Sequence, residues 1–294
     1  MPEHFVAAPN WGWWIIAYFF FGGLAGGSYA IGTLIRLIGA PEDQRLARTA
    51  FIVSFVALVP CPLFLIADLG VPARFLNLLL DASEGGLAFK AGTPISLGAW
   101  ALLVFGLFSF VSFLGALGES GMAALAPFGR MLRGGLGNVW NVIGTAFGFF
   151  VAGYTGVLLA ASNQPVWSDA GWFLGGLFLA SGLTGSAALL LALGYWRREA
   201  DAGTTTRLVA ADRNFAMLEA ILLLLFVASI GLAGTLNKLL GVWLVLWLVV
   251  LIGLATPFLM SRLDMGRRWP AAGPVVALLG VLALRALVVF GAQS

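Results

Sequence analysis

Tyr18-Phe-Phe-Phe-Gly-Gly-Leu-Ala-Gly-Gly-Ser28 lies inside the first long apolar run of the chain and carries four glycines, at 22, 23, 26 and 27. On a helix, residues four apart share a face, so these glycines form two overlapping small-xxx-small pairs that strip side chains from one side. Two readings follow. The bare face admits a closely packed neighbouring helix, or it admits a flat ligand against the backbone. A dinucleotide-binding loop does not fit, because no strand precedes the glycines and no ribose-binding acid follows at the required distance.

The surrounding composition places this stretch in a membrane. The 294 residues are 61% hydrophobic and only 10% charged, with a mean hydropathy of +0.99, against roughly 25% charged residues in an ordinary soluble domain. Eight segments reach the roughly 20 residues that a helix needs to cross a bilayer. They cover 11–38, 46–67, 94–117, 137–161, 170–194, 214–234, 239–260 and 271–291, hereafter spans one to eight. Twelve of the 16 Lys and Arg fall in the first, third, fifth and seventh connections. The other side has Arg74, Lys90 and Lys238, and Arg285 lies within span eight. Because Lys and Arg collect on the cytoplasmic side, this asymmetry predicts both termini on the outer side. The formal net charge of +3 is therefore a topology signal, with no basic arm or aromatic-basic patch for nucleic acid.

Redox centres of the chain's own are not expected. Cys61 is the single cysteine, too few for a disulfide or for a cluster that needs about four thiolates. His4, the single histidine, precedes span one, so no intramembrane histidine pair can hold haem, and no metal site is expected. The segment before span one lacks Lys and Arg, unlike the basic region of a cleavable signal peptide.

Between spans two and three, Gly70 and Pro72 should end the helix, leaving a short interfacial element. The connection 118–136 reads as an amphipathic connector, and 195–213, the most polar stretch, as a solvated cytoplasmic connection. Gly182-Leu-Thr-Gly-Ser-Ala187 in span five aligns with Gly23-Leu-Ala-Gly-Gly-Ser28 at an offset of 159 residues, and both spans run the same way across the membrane. A parallel duplication leaves this trace. The expected architecture is an all-α integral membrane protein of two four-helix bundles, residues 1–135 plus 136–168 and residues 169–294.

Ionisable groups at membrane depth are costly and usually face a partner, a cavity or a proton path. Arg285 needs an acceptor, and by depth Asp68 is the first candidate and Asp169 the second. Glu219 either snorkels or receives protons from the inside. Tyr18, one turn before the glycines, and Tyr154 in span four place phenol hydroxyls beside an apolar slot, where they can bind the carbonyl oxygens of a quinone. Asn163, Gln164 and Trp167 follow Tyr154 in a connection that could close such a slot. Trp11, Trp13 and Trp14 read as an interfacial belt.

Taken together, the stretch 20–28, Asp68-Leu-Gly-Val-Pro-Ala-Arg74-Phe, Thr93-Pro-Ile-Ser-Leu-Gly-Ala-Trp100, Tyr154-Thr-Gly-Val-Leu-Leu-Ala, Pro165-Val-Trp167, Leu179-Ala-Ser-Gly-Leu-Thr-Gly185, and Leu284-Arg285 with the terminal Phe-Gly-Ala-Gln293 resemble the NrfD / polysulfide-reductase membrane-subunit family. The resemblance implies a bacterial cytoplasmic-membrane subunit without haem or iron–sulfur cluster. It binds menaquinone or ubiquinone near the outer surface of the first bundle. Its implied partners are a four-cluster ferredoxin-like subunit and a molybdopterin or multihaem catalytic subunit. Tyr154 then matches a quinone-contacting tyrosine, and Tyr18 stands where some members have a polar ligand, often histidine. Asp68 and Arg74 fall in the outer motif near the quinone, and Glu219 and Arg285 at positions discussed for a proton path. Tyr154, Asp68 and Tyr18 are the expected reactive residues, with Gly23, Gly26, Gly27, Arg74, Asn163 and Trp167 around the ring. A secondary transporter and an inert anchor are the alternatives.

Overall fold

The computed structural model describes residues 9–81, 86–87, 93–197, 201–262 and 272–294. His4, Glu84, Lys90, Arg198, Arg267 and Arg268 lie outside the described residues. Among the described residues, eight helices are long and apolar enough to cross a membrane: Trp13–Ile38, Pro41–Asp68, Pro94–Glu119, Gly135–Ala160, Trp172–Arg197, Ala202–Leu232, Gly241–Met260 and Ala272–Ala292. Spans one to eight are used below in this order.

Seven of the eight lie close to the segments read from the sequence. Span six is the exception. Its helix begins at Ala202, where the sequence reading placed a solvated connection reaching 213. Asp201 starts it, its carboxylate accepting the Gly203 N–H at 2.9 Å, which satisfies an otherwise orphaned donor. Thr204, Leu208, Asp212, Ala216 and Glu219 are all buried. Their three- and four-residue steps put them on one helix face, turned toward protein. The polar residues that suggested a loop are the first turns of a long helix.

Span two is interrupted at Val59, where one helix ends at Leu58 and the next starts at Pro60. Proline has no N–H to continue the ladder and crowds the preceding turn. The connection after span two holds a 3-10 helix, Pro72–Leu78, and a two-residue antiparallel ladder pairing Leu80 with Leu87 and Asp81 with Gly86. The connection after span three is a 3-10 turn, Ala123–Leu125, and a short helix, Ala126–Met131.

Trp172 and Trp196, at the two ends of span five, are 84% and 81% exposed. Twenty-four helical steps separate them by about 36 Å, the spacing of the two interfaces of a bilayer. Exposed Leu and Val on spans three, six and seven form the lipid-facing surface. Spans one, five and eight are the most enclosed, with 83%, 72% and 67% of their central windows buried, and they pack on one another at the centre. Spans two and four also pack on span one, span three bridges two and four, and span seven lies against six and eight.

The glycine stretch makes this centre possible. A Cβ on Gly26 would strike the Gly148 carbonyl of span four and lie 3.2 Å from the Ala152 Cβ. A Cβ on Gly27 would strike the Ser186 hydroxyl of span five and lie 2.6 Å from the Gly182 carbonyl oxygen, and one on Gly23 would stand 3.4 Å from the Gly182 Cα. Ser186 donates to the Leu24 carbonyl at 3.0 Å. Gly23 therefore meets Gly182 and Gly27 meets Ser186, each residue facing its own counterpart at the offset of 159. A two-fold axis between parallel repeats would bring equivalent positions together in this way.

At the arginine-rich end, the buried Glu119 carboxylate binds Arg36 and lies 3.5 Å from Arg133. Arg48 donates to the Glu119 carbonyl at 2.7 Å. Asp43 accepts from Thr204 at 2.6 Å and from Arg207 at 2.7 Å, tying the corner between spans one and two to the start of span six.

Candidate functional site

At the other end of spans one to four, the sequence brings two tyrosines together. Tyr18 and Tyr154 are 3% and 8% exposed. The Tyr154 hydroxyl and the Cys61 thiol are close enough to Tyr18 to interact with it electrostatically. Tyr154 donates its hydroxyl proton to the Pro94 carbonyl at the start of span three and stacks on Phe150 with centroids 5.5 Å apart. Gly98 makes room for that ring, since a Cβ there would lie 2.6 Å from Tyr154 Cζ. The motif 93–100 therefore positions Tyr154 through a carbonyl and a missing side chain.

Asp68 is half-buried at the end of span two. It stands two turns beyond Cys61 and one beyond Phe64, on the side of the helix that packs on span one through the Phe21–Phe64 contact at 5.6 Å. Arg74 is exposed. Asp68 is not the acceptor for Arg285, and neither is Asp169. The Asp169 carboxylate is occupied by the Val166 N–H at 3.0 Å and the Thr235 hydroxyl at 2.9 Å.

Arg285 is fully buried at the meeting point of spans one, five and eight. Nε donates to the Phe19 carbonyl at 3.0 Å. Nη1 donates to Ser181 Oγ at 2.9 Å and to the Val281 carbonyl at 3.0 Å, and Nη2 to the Phe178 carbonyl at 3.3 Å. The Phe178 ring lies 5.2 Å from Cζ. Gly23 leaves space for this group, because a Cβ there would lie 2.6 Å from Nη2. Depth along the helix pointed to carboxylates, whereas the guanidinium is held mainly by carbonyls, which carry no signature in sequence.

Glu219 is 4% exposed and does not snorkel. The Ser181 and Thr184 hydroxyls lie near it and the Arg285 charge acts on it, while Thr184 itself donates to the Ala180 carbonyl at 3.2 Å. Ser181 thus stands between guanidinium and carboxylate. Sequence reading passed over Asp212, which is 2% exposed. It lies two turns from Glu219 on the same helix face and interacts with it electrostatically. One oxygen of each carboxylate has no hydrogen-bond partner. Two acids seven residues apart in a helical pattern are the sequence signal for this pair, and the polarity of 195–213 masks it.

The remaining expected residues lie elsewhere. Gly26 and Gly27 face spans four and five, as described above, with helix packed over both. Trp167 is fully buried, donates to the Val288 carbonyl at 2.8 Å and stacks on Trp11 at 5.3 Å, which places it at the corner of spans one and eight. Trp11 is partly buried and packs against the core, while Trp13 and Trp14 are exposed. Asn163 is exposed, and Gln164 donates to the Ala292 carbonyl. Val166, between Pro165 and Trp167, adopts φ 75°, a strained conformation for a β-branched residue. Among the described residues no group of three His, Cys, Asp or Glu could hold a metal ion.

Comparison with known families matches residues 2–294 to the family described as polysulphide reductase, NrfD. A curated protein, a selenate reductase subunit from Mesobacillus selenatarsenatis, is 34% identical over 71 residues, which is 24% of this chain and 17% of the relative. The match thus spans a small part of that protein's length.

Proposed function

The chain belongs to the NrfD polysulphide reductase family, and from that premise we propose that it is the quinone-reactive membrane subunit of a multisubunit oxidoreductase in the bacterial cytoplasmic membrane. It exchanges electrons between the quinone pool and an iron–sulfur partner, which serves a molybdopterin or multihaem catalytic subunit. Its fold is read as two four-helix bundles, spans one to four and five to eight, with both termini outside. The meeting of Gly23 with Gly182 and Gly27 with Ser186 supports the duplication, and the arginine-rich end marks the cytoplasmic side.

The observation that carries the reading is that two buried tyrosines, Tyr18 and Tyr154, lie within electrostatic reach of each other near one end of spans one to four, with Asp68 two turns beyond Cys61 on span two. A quinone gains two protons with its two electrons, so its site needs hydroxyl donors and an exchangeable acid within an apolar setting. Tyr18 supplies one donor, Tyr154 supplies a second when its hydroxyl turns from the Pro94 carbonyl to the quinone, and Asp68 provides proton exchange with the outer surface. Tyr154→Phe removes one hydroxyl and leaves the ring against Gly98 and Phe150. Quinone-dependent turnover of the purified complex should fall about tenfold or more with little change in melting temperature. Unchanged turnover in both Tyr154→Phe and Asp68→Asn would sink the assignment.

Glu219 and Arg285 are proposed to move protons from the cytoplasmic side, with Asp212 as the inner member. Asp212, Glu219, Ser181 and Arg285 form a polar line through the second bundle, and Arg285 reaches the Phe19 carbonyl beside Tyr18. In proteoliposomes, Asp212→Asn and Glu219→Gln should abolish proton uptake from the arginine-rich side during quinone turnover. Uptake at the unaltered ratio in both variants would exclude this path. Co-purification of an iron–sulfur protein with quinone-dependent electron flow separates the whole reading from an inert anchor, and solute uptake by the isolated chain would point to a transporter.

A further inference from the structure

A cleft of about 460 Å³ opens at the arginine-rich end between two corners of the chain, Pro41–Thr49 on one side and Leu190, Arg197, Asp201 and Thr204 on the other. Arg45, Arg48 and Arg197 line it. Among the described residues, the two carboxylates on its wall are already engaged, Glu42 with Arg207 at 3.3 Å and Asp201 with the start of span six. Arg48 spends one nitrogen on the Glu119 carbonyl, whereas Arg45 and Arg197 form no ion pair among the described residues. The cleft therefore has an excess of uncommitted guanidinium.

Its depth is that of the membrane surface. Trp196, next to Arg197, is 81% exposed and sits where interfacial tryptophans sit. Leu46, Leu190 and Leu193 form an apolar floor. A second groove of about 250 Å³ adjoins it, sharing Leu46 and Thr204 and running along Ile31, Leu34 and Phe215. Guanidinium matches phosphate oxygens with paired donors, and the adjoining groove is apolar enough for a hydrocarbon chain.

We propose that this cleft binds the phosphate headgroup of an anionic phospholipid, with an acyl chain along the adjoining groove, so that the lipid joins the two corners of the chain. Arg45 and Arg197 hold the phosphate. The Asp43 contacts with Thr204 and Arg207 are the protein's own link at this place, and the lipid adds a second. A lipid held here is independent of the electron-transfer reading.

The test uses the purified protein, delipidated in detergent and titrated separately with phosphatidylglycerol, phosphatidylcholine and inorganic phosphate, followed by thermal shift and native mass spectrometry. Phosphatidylglycerol should raise the melting temperature and stay bound, while phosphatidylcholine and inorganic phosphate do neither. Arg45→Gln/Arg197→Gln should weaken phosphatidylglycerol roughly thirtyfold. Equal effects of the two lipids, an equal effect of inorganic phosphate, or unchanged lipid retention in the double variant would overturn the proposal. The lipid ranking on the unaltered protein decides the matter even if the double variant does not fold.

Discussion

Arg285→Met is expected to abolish a stable, purifiable protein, with a loss of about 3–5 kcal/mol. The substitution keeps much of the side-chain volume and removes every donor. The carbonyls of Phe19 and Phe178 and the Ser181 hydroxyl then lose the hydrogen bonds they accept at 3.0, 3.3 and 2.9 Å. Both carbonyls keep their helical N–H partner, and each lost hydrogen bond to the charged guanidinium is worth about 1.5–3 kcal/mol. Glu219 loses the positive charge acting on it and stays buried. Arg285→Lys keeps the charge but not the fork, so it should fall between wild type and Arg285→Met. The pair Arg285→Met/Glu219→Gln should recover part of the loss, because it removes the uncompensated charge along with its counter-charge. Melting temperatures of the four proteins in one detergent check this. A single Arg285→Met variant as stable as wild type would show that the guanidinium is not what joins spans one, five and eight.

The number of helices and nearly all their ends were legible because they depend on length and apolarity, which are local properties. Span six was misjudged at its start because Thr204, Arg207 and Asp212 are polar, and polarity alone does not reveal that one face of a helix is covered. Which residues meet is a tertiary fact. Tyr18 and Tyr154 could be nominated together because both lie beside small residues at the same depth. Trp167 could not be placed, since the backbone turn at Val166 turns it inward onto Trp11 and Val288. The partners of Arg285 were misread for a related reason. Searching for charge finds carboxylates, whereas a buried guanidinium with several donors is satisfied as well by carbonyls that every residue carries.

The glycine stretch itself leads to the second large effect. A bare helix face can serve a ligand or a neighbouring helix, and the two uses respond differently to a methyl group. In Gly26→Ala the new Cβ would overlap the Gly148 carbonyl and come within 3.2 Å of Ala152. Backbone cannot swing aside as a flexible side chain does, so spans one and four must separate. Overpacking of this kind costs about 1–3 kcal/mol, occasionally more. Gly182→Ala should act alike, its Cβ standing 2.9 Å from the Gly23 carbonyl oxygen. Gly106→Ala and Gly231→Ala are the controls, being helical positions where a Cβ meets nothing within 4 Å. There alanine's better helix propensity should leave stability unchanged or raised by up to about 1 kcal/mol. If the stretch were instead a ligand wall, Gly26→Ala would first weaken quinone turnover in a protein of ordinary melting temperature. The packing described here predicts the reverse order, with loss of melting temperature first and turnover falling only as the centre opens. Equal melting temperatures for Gly26→Ala and Gly106→Ala would return the stretch to the ligand reading.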